Sequence, residues 1–530
     1  MKNSMLVLVF LLNTLLFAHP VFTSPKANYN QPTRADSIHG FDVISYDISI
    51  NIDDQNEFIE GTVIAQVVAE ENLTEINFEL EQLSINSILV DNNSVEYSYN
   101  QHIIEIPLSN INSGDLFEIV INYDGNPQQS NDVYHIGMIF NNNHIFTLSD
   151  PSGCRWWVPT YDHPWDKAIV DLHITGRDDW VAACNGIRTN IVDNDDGTNT
   201  HNWVGENPMA PHLISLVFSD MEEMIDSYED LPIHNFFPAN MSSNALEDFS
   251  LMPEMIEIYS EKFGDYPFEK YGNAVVPMVT FGAMEHQTMT TLGNAYIDGN
   301  HGGKHTIAHE LAHQWFGNCL TPLTWKDVWL SEGFAVYSEA IYEREIEDFD
   351  AFVQYIQSEI QGYYKSWMTS YGPRVIYDPA YNETFYPMEY QKAASVLHML
   401  RAKVGNDFFW EIIQTYFQTY HNSNVVTAEF IEICEEISNQ DLTQFFQQWI
   451  FESGIPSVDY TYFVSNIPNT PHIKFFAKTN CSTGTQFDLS IPINLNNSSN
   501  VDSIMIEATH QITETSFFSL YDSIEFDPNS

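Results

Sequence analysis

Hydrophobic and polar positions alternate along residues 41–220. The pattern is clear at 46–52, 62–68 and 105–123, with Asn, Asp and Gly clusters between the runs. A period of two bounded by turn formers predicts short strands with one buried face. No helical period interrupts them, so this stretch reads as an N-terminal domain of antiparallel sheet. The character changes between 219 and 244. A helical period starts near Leu246 and runs through Met252, Met255, Ile256, Ile258 and Tyr259. After a short strand at 274–277 the pattern is mostly helical to about residue 453. It includes an amphipathic stretch at 390–404 closed by Gly405, another at 408–420, and Asp441-Leu442-Thr443-Gln444 in the form of a capping box ahead of Phe445. Gly454-Ile455-Pro456 breaks the helical pattern. Alternation then returns over 457–530, as at 487–493, and reads as a small β-sandwich domain. The expected fold is therefore α+β and multidomain, with no internal repeat: a β domain at 25–222, a mostly helical domain at 223–455 and a small C-terminal β domain at 456–530.

Composition sharpens this picture. A chain of 530 residues, 44% hydrophobic, is long enough for several cores. Residues 1–24 read as a secretory signal peptide: Lys2 gives a positive start, and the apolar run 5–18 is too short to span a bilayer. No later apolar run is long enough to span one. The expected location is secreted or periplasmic. Lys and Arg number 19 against 73 Asp and Glu, a formal charge of −54. That excludes binding of nucleic acid or anionic lipid through a general field. Five scattered cysteines, Cys154, Cys184, Cys319, Cys434 and Cys481, form no disulfide framework and have no metal-ligand spacing. A Cys154–Cys184 pair is left open.

The candidate chemistry lies between 305 and 339. His309-Glu310-Leu311-Ala312-His313 is H-E-x-x-H in an apolar helical setting that Gly317-Asn318 can end. Residues four apart on a helix point the same way, so His309 and His313 offer two imidazoles to one tetrahedral zinc. Glu310 can reach water at that metal without ligating it. Glu332 opens a second helical pattern and is the candidate third ligand. Two histidines and a glutamate in so apolar a helix would be costly to bury without a metal or other partners.

These residues resemble the M1 aminopeptidases, the gluzincin group of aminopeptidase N and leukotriene A4 hydrolase. That family's mark is H-E-x-x-H, eighteen residues, then Glu, and His313 and Glu332 stand at this spacing. Three further stretches match. Gly282-Ala283-Met284-Glu285 resembles G-x-M-E-N, Tyr390-Gln391-Lys392-Ala393-Ala394 resembles Y-x-K-G-A, and 150–155 with 159–164 resembles the end of the family's first domain. The resemblance implies a thermolysin-like catalytic domain holding one zinc ion per chain, on His309, His313 and Glu332. It implies Glu310 as general base and Tyr390 as donor to the negative oxygen of the intermediate. It also implies that Glu285 binds the substrate's α-ammonium, with Asp150 beside it, and that Gly282, Ala283 and Met284 receive the peptide. The expected substrates are peptides with a free N-terminus.

Four positions depart from the family pattern: His286 for Asn, Ser331 for Asn, Ala393 for Gly, and Asp150 for a longer Glu or Gln. Ser331 reads as an N-cap. Many relatives carry a fourth, helical domain over the cleft, so the expected site is more open or is closed by a neighbouring subunit. Two rival readings stand beside the aminopeptidase: a zinc peptidase of broader or endo-type cleavage, and a non-catalytic peptide-binding scaffold. Cleavage of N-blocked peptides separates the first. The presence of Glu310 argues against the second, because a scaffold has no need of a base.

Overall fold

The computed structural model describes residues 39–141, 143–278, 282–465, 472–497, 500–517 and 523–526. The expected leader at 1–24 lies outside them. Alternation in the N-terminal part becomes an eight-stranded sheet, with Phe41–Asp53 and Phe58–Ala69 at its centre. Along Phe58–Ala69 every second side chain is buried, Ile59, Val63, Ala65 and Val67 among them. The sheet is not wholly antiparallel: Phe41–Asp53 runs parallel to Ile169–Arg177. More than a hundred residues separate these strands, ample for the crossover that a parallel pair requires. A four-stranded sheet follows, and its strand His144–Leu148 delivers the chain to Asp150 and a cis Asp150–Pro151 bond.

The central part opens with a five-stranded sheet. Its inner strand Tyr271–Val276 is buried at every position, and the two-residue strand Ala283–Met284 forms one edge. Helices Lys304–Ala312, Trp329–Ile346 and Ala393–Val404 pack on one another around Trp315, Trp329 and Phe334. Helix Trp329–Ile346 is buried on nearly all sides as far as Glu343, as expected of a helix inside a core rather than on its surface.

Several local expectations are corrected. Gly317-Asn318 does not end the first of these helices. Regular structure stops at Ala312, and wider turns follow in which the N–H groups of Asn318, Cys319 and Leu320 reach five residues back. Ser331 lies inside the first turn of its helix, whose N-cap is Val328. The expected capping box at 441–444 does not form; Asp441 accepts instead from the Thr443 N–H at 3.0 Å. All five cysteines are free thiols, so Cys154 and Cys184 do not pair.

The C-terminal part has two three-stranded sheets sharing a core of Ile473, Phe475, Ala477, Ile493, Leu495, Ile506 and Ala508. Phe487, outside the strands, packs on Trp449 with ring centroids 4.8 Å apart. Among the described residues no helix is long and apolar enough to cross a membrane.

Candidate metal and peptide site

His309 and Glu310 occupy the last turn of helix Lys304–Ala312, and His313 caps its end. Glu332 faces them from the first turn of helix Trp329–Ile346. The two Nε2 atoms are 3.1 Å apart, and each lies 3.4 Å from Glu332 Oε2. A tetrahedral zinc with ligands at about 2.0–2.1 Å separates its donor atoms by about 3.3–3.4 Å. The donor triangle therefore fits zinc.

Protonation supports the same fit. His309 Nδ1 pairs with Glu339 Oε1 at 2.7 Å. His313 Nδ1 lies 3.1 Å from the Phe316 carbonyl and 2.9 Å from Ser331 Oγ. Outer partners of this kind fix the ring and leave Nε2 as the inward ligand atom. Burial opposes a charge on His313, yet Glu285 and Glu332 outweigh it and hold the imidazole up to about 9. Against burial, His313 and His309 pull Glu332 down to about 2. The pocket thus calls for positive charge, which protons or a dication can meet.

The remaining groups converge on the triangle. Burial, with the charges of Glu285 and Glu332, pushes Glu310 up to about 8, although the two histidines work against it; its Oε2 is buried without a hydrogen-bond partner. Tyr390 sits in a π-helical turn, Met388–Lys392, just before helix Ala393–Val404. Its ring lies parallel to that of His309, with centroids 6.0 Å apart, and close to the Glu332 carboxylate. Burial and then the Glu332, Glu285 and Asp150 carboxylates hold the phenol well above 10, so it stays an O–H donor.

The carboxylates of Asp150, Glu285 and Glu332 lie within 4.8 Å of one another. Burial, followed by the charges of Glu285 and Glu332, raises Asp150 well above the usual range, and its Oδ1 has no partner. Glu285 is also raised by burial. Its backbone is clamped, because Asn318 Nδ2 donates to its carbonyl at 2.7 Å and Gln314 Nε2 at 3.3 Å. The irregular turns after Ala312 are what bring Gln314 and Asn318 to it.

Nine of the ten sequence-predicted residues line one cavity: His309, His313, Glu332, Glu310, Tyr390, Glu285, Ala283, Met284 and Asp150. Gly282 does not line it. It stands just before the edge strand, where its carbonyl accepts from the Gly293 N–H at 2.8 Å. His286 points away, buried, with Nδ1 2.9 Å from Thr291 Oγ1.

Sequence reasoning missed Leu148 and Phe385, which complete the wall. It read Ser331 as a cap, whereas Ser331 steadies His313. This approach needs Gly317, with φ +127°, where any Cβ would collide with the Ser331 hydroxyl and crowd the His313 ring. It also missed Glu339, which orients His309 and accepts a hydrogen bond from Tyr355. Glu339 stands two helical turns after Glu332, on the same face, and that spacing was a usable signal.

The donor set and its acidic surroundings are those of a zinc metallopeptidase. The description "Peptidase M1 N-terminal domain" matches residues 43–213, and "Peptidase family M1 domain" matches 247–449, together well over half the chain. The chain belongs to peptidase family M1.

Among curated relatives, it is similar to the "Probable aminopeptidase 2" of Sulfurisphaera tokodaii, 27% identical over 351 residues, covering 63% of this chain and 45% of that protein. It is also similar to the aminopeptidase N of Lactococcus lactis subsp. lactis, 25% identical over 454 residues, covering 79% of this chain and 52% of that protein. The chain spans about half the length of these relatives. An M1 zinc metallopeptidase crystal structure from Deinococcus radiodurans superposes with a TM-score of 0.70 at 24% identity, covering 78% of this chain and 94% of that one. Legionella pneumophila aminopeptidase A, crystallised with aspartic acid, gives 0.80 at 19%, covering 92% and 58%. At these identities the structural likeness establishes the fold.

Proposed function

We propose that this protein is a zinc-dependent aminopeptidase that removes single residues from the N-terminus of peptides. The observation that carries the reading is the junction of the His309–His313–Glu332 triangle with a second acidic pair, Glu285 and Asp150, in one cavity. A free α-ammonium brings the positive charge these buried carboxylates lack. An internal peptide bond brings none and leaves them unpaired.

When bound, zinc supplies a Lewis acid that polarises the scissile carbonyl and acidifies water at the site. Glu310, whose Oε2 is unengaged and whose carboxylate a bound dication would keep ionised, takes the proton from water and passes it to the leaving amine. Tyr390 keeps its proton and offers its O–H to the developing oxyanion. Glu285 and Asp150 hold the ammonium. Ala283 and Met284 form the edge of their sheet, and such an edge can take a peptide backbone as a further short strand. The leader read at 1–24 supports export.

A peptide series with free and N-acetylated termini tests the reading. Free peptides should be cleaved from the first residue onward, and acetylated ones at least about 10²-fold more slowly, as expected when buried polar groups lose their partner. Equal cleavage of blocked peptides, or cleavage at internal bonds, would favour the endo-type alternative.

A further inference from the structure

A second cavity opens between the helical part and the start of the C-terminal sheets. One side of it is apolar, formed by Met399, Trp449, Ile455 and Pro456, while Gln361, Tyr364, Ser395 and two lysines, Lys392 and Lys365, line the rest. The chain has only 19 Lys and Arg against 73 acids, so two cations lining one cavity stand out. Lys392 is 3% exposed. Its Nζ donates to two neutral carbonyls, those of Arg374 and Glu452, both at 3.3 Å. An ammonium has three donors, so one is left over. The acid facing it within its own turn, Glu389, is fully buried, and burial holds it up to about 9, so it offers little neutralising charge near pH 7. Lys365, from helix Tyr363–Tyr371, stands exposed at the rim. An anion is repelled over most of this surface and is welcomed here. An apolar side beside the cations calls for an apolar body on that anion.

We propose that this cavity is a binding site for a carboxylate carried on an apolar or aromatic body, its charge met by Lys392 and Lys365 and its body packed against Trp449 and Met399. A small free acid and the C-terminal residue of a peptide share this chemistry. The site lies outside the peptide cavity, and Lys392 closes the same π-helical turn that carries Tyr390.

The probes are 3-(4-bromophenyl)propionate, its primary amide, and an N-acetylated tetrapeptide ending in 4-bromophenylalanine. Zinc-loaded crystals soaked in each are read by bromine anomalous scattering, and affinity is titrated in solution. Lys392→Met risks misfolding, because its ammonium ties two chain segments. The variants are therefore Lys365→Glu at the rim and Ser395→Phe, which fills the cavity. The expected result is a bromine peak beside Trp449 for the acid and not for the amide, with affinity at least tenfold weaker in both variants. A peak for the tetrapeptide as well assigns the site to peptide C-termini, and a peak for the small acid alone assigns it to free acids. Bromine found only beside His309, His313 and Glu332 overturns the proposal. So does an amide that binds as tightly as the acid, or affinity unchanged in Lys365→Glu.

Discussion

Gly333 follows the third metal donor and sits where helix Trp329–Ile346 crosses helix Ala393–Val404. A Cβ at Gly333 would lie 2.6 Å from Cβ of Ala393 and 3.3 Å from its carbonyl carbon. Non-bonded carbons rest at about 3.5–4.0 Å, so Gly333→Ala must part the two helices by about 1 Å. Replacing a helical glycine with alanine gains up to about 1 kcal/mol of helix propensity. Overpacking a closed contact costs about 1–3 kcal/mol. The balance runs from neutral to a loss of about 3 kcal/mol, so the variant should fold. Activity is the sharper readout, because one helix carries Glu332 and the turn leading into the other carries Tyr390. A misplacement of about 1 Å between such groups costs on the order of 10²-fold in turnover. The assay is kcat on a free-amine aminoacyl amide, with urea midpoints alongside. The double variant Gly333→Ala with Ala393→Gly moves the methyl across the same contact and should recover most of the loss. Full turnover in Gly333→Ala, or a double variant no better than the single, would refute the packing argument.

Three further outcomes follow from the site. Glu339→Gln weakens the partner that fixes His309, so a chelator should strip zinc about 10–100-fold more readily, with the fold retained by circular dichroism. Tyr390→Phe should keep its zinc and lose roughly 10²–10³ in kcat, because the phenol O–H acts on the oxyanion and not on the metal. His286 is buried and pulled down to about 3 by desolvation, so the unfolded chain binds a proton below about pH 6.5 that the folded chain refuses. Stability from this group is present above pH 6.5 and is lost as pH falls towards 3. His286→Asn should remove about one proton, or about 1.4 kcal/mol per pH unit, from the slope of urea-unfolding free energy between pH 6 and 4.

How far the site was legible depends on what fixes each residue. His309, Glu310, His313 and Glu332 were readable because helical spacing and one turn place them, and both are local properties of the chain. Asp150 and Glu285 were named from motifs, but their meeting depends on two sheets and a clamp from Asn318 and Gln314, which no local period encodes. The role of Ser331 was misjudged because propensity at a helix start favours a cap, whereas packing against Gly317 turns the hydroxyl to His313. The parallel strand at Ile169–Arg177 was missed for a related reason: alternation reports a buried face and carries no information on the direction of a distant partner. Phe385 joins the wall from a loop without periodicity, and only the folded chain shows it.

The central claim is that His309, His313 and Glu332 hold a zinc ion and that Glu310 works beside it without holding it. The most direct test measures zinc content and aminoacyl amide hydrolysis together, wild type beside Glu310→Gln. The account predicts about one zinc per chain in both proteins and turnover only in the wild type, since ligation and base action are separable roles. Zinc lost from Glu310→Gln, or activity retained in it, would contradict the account.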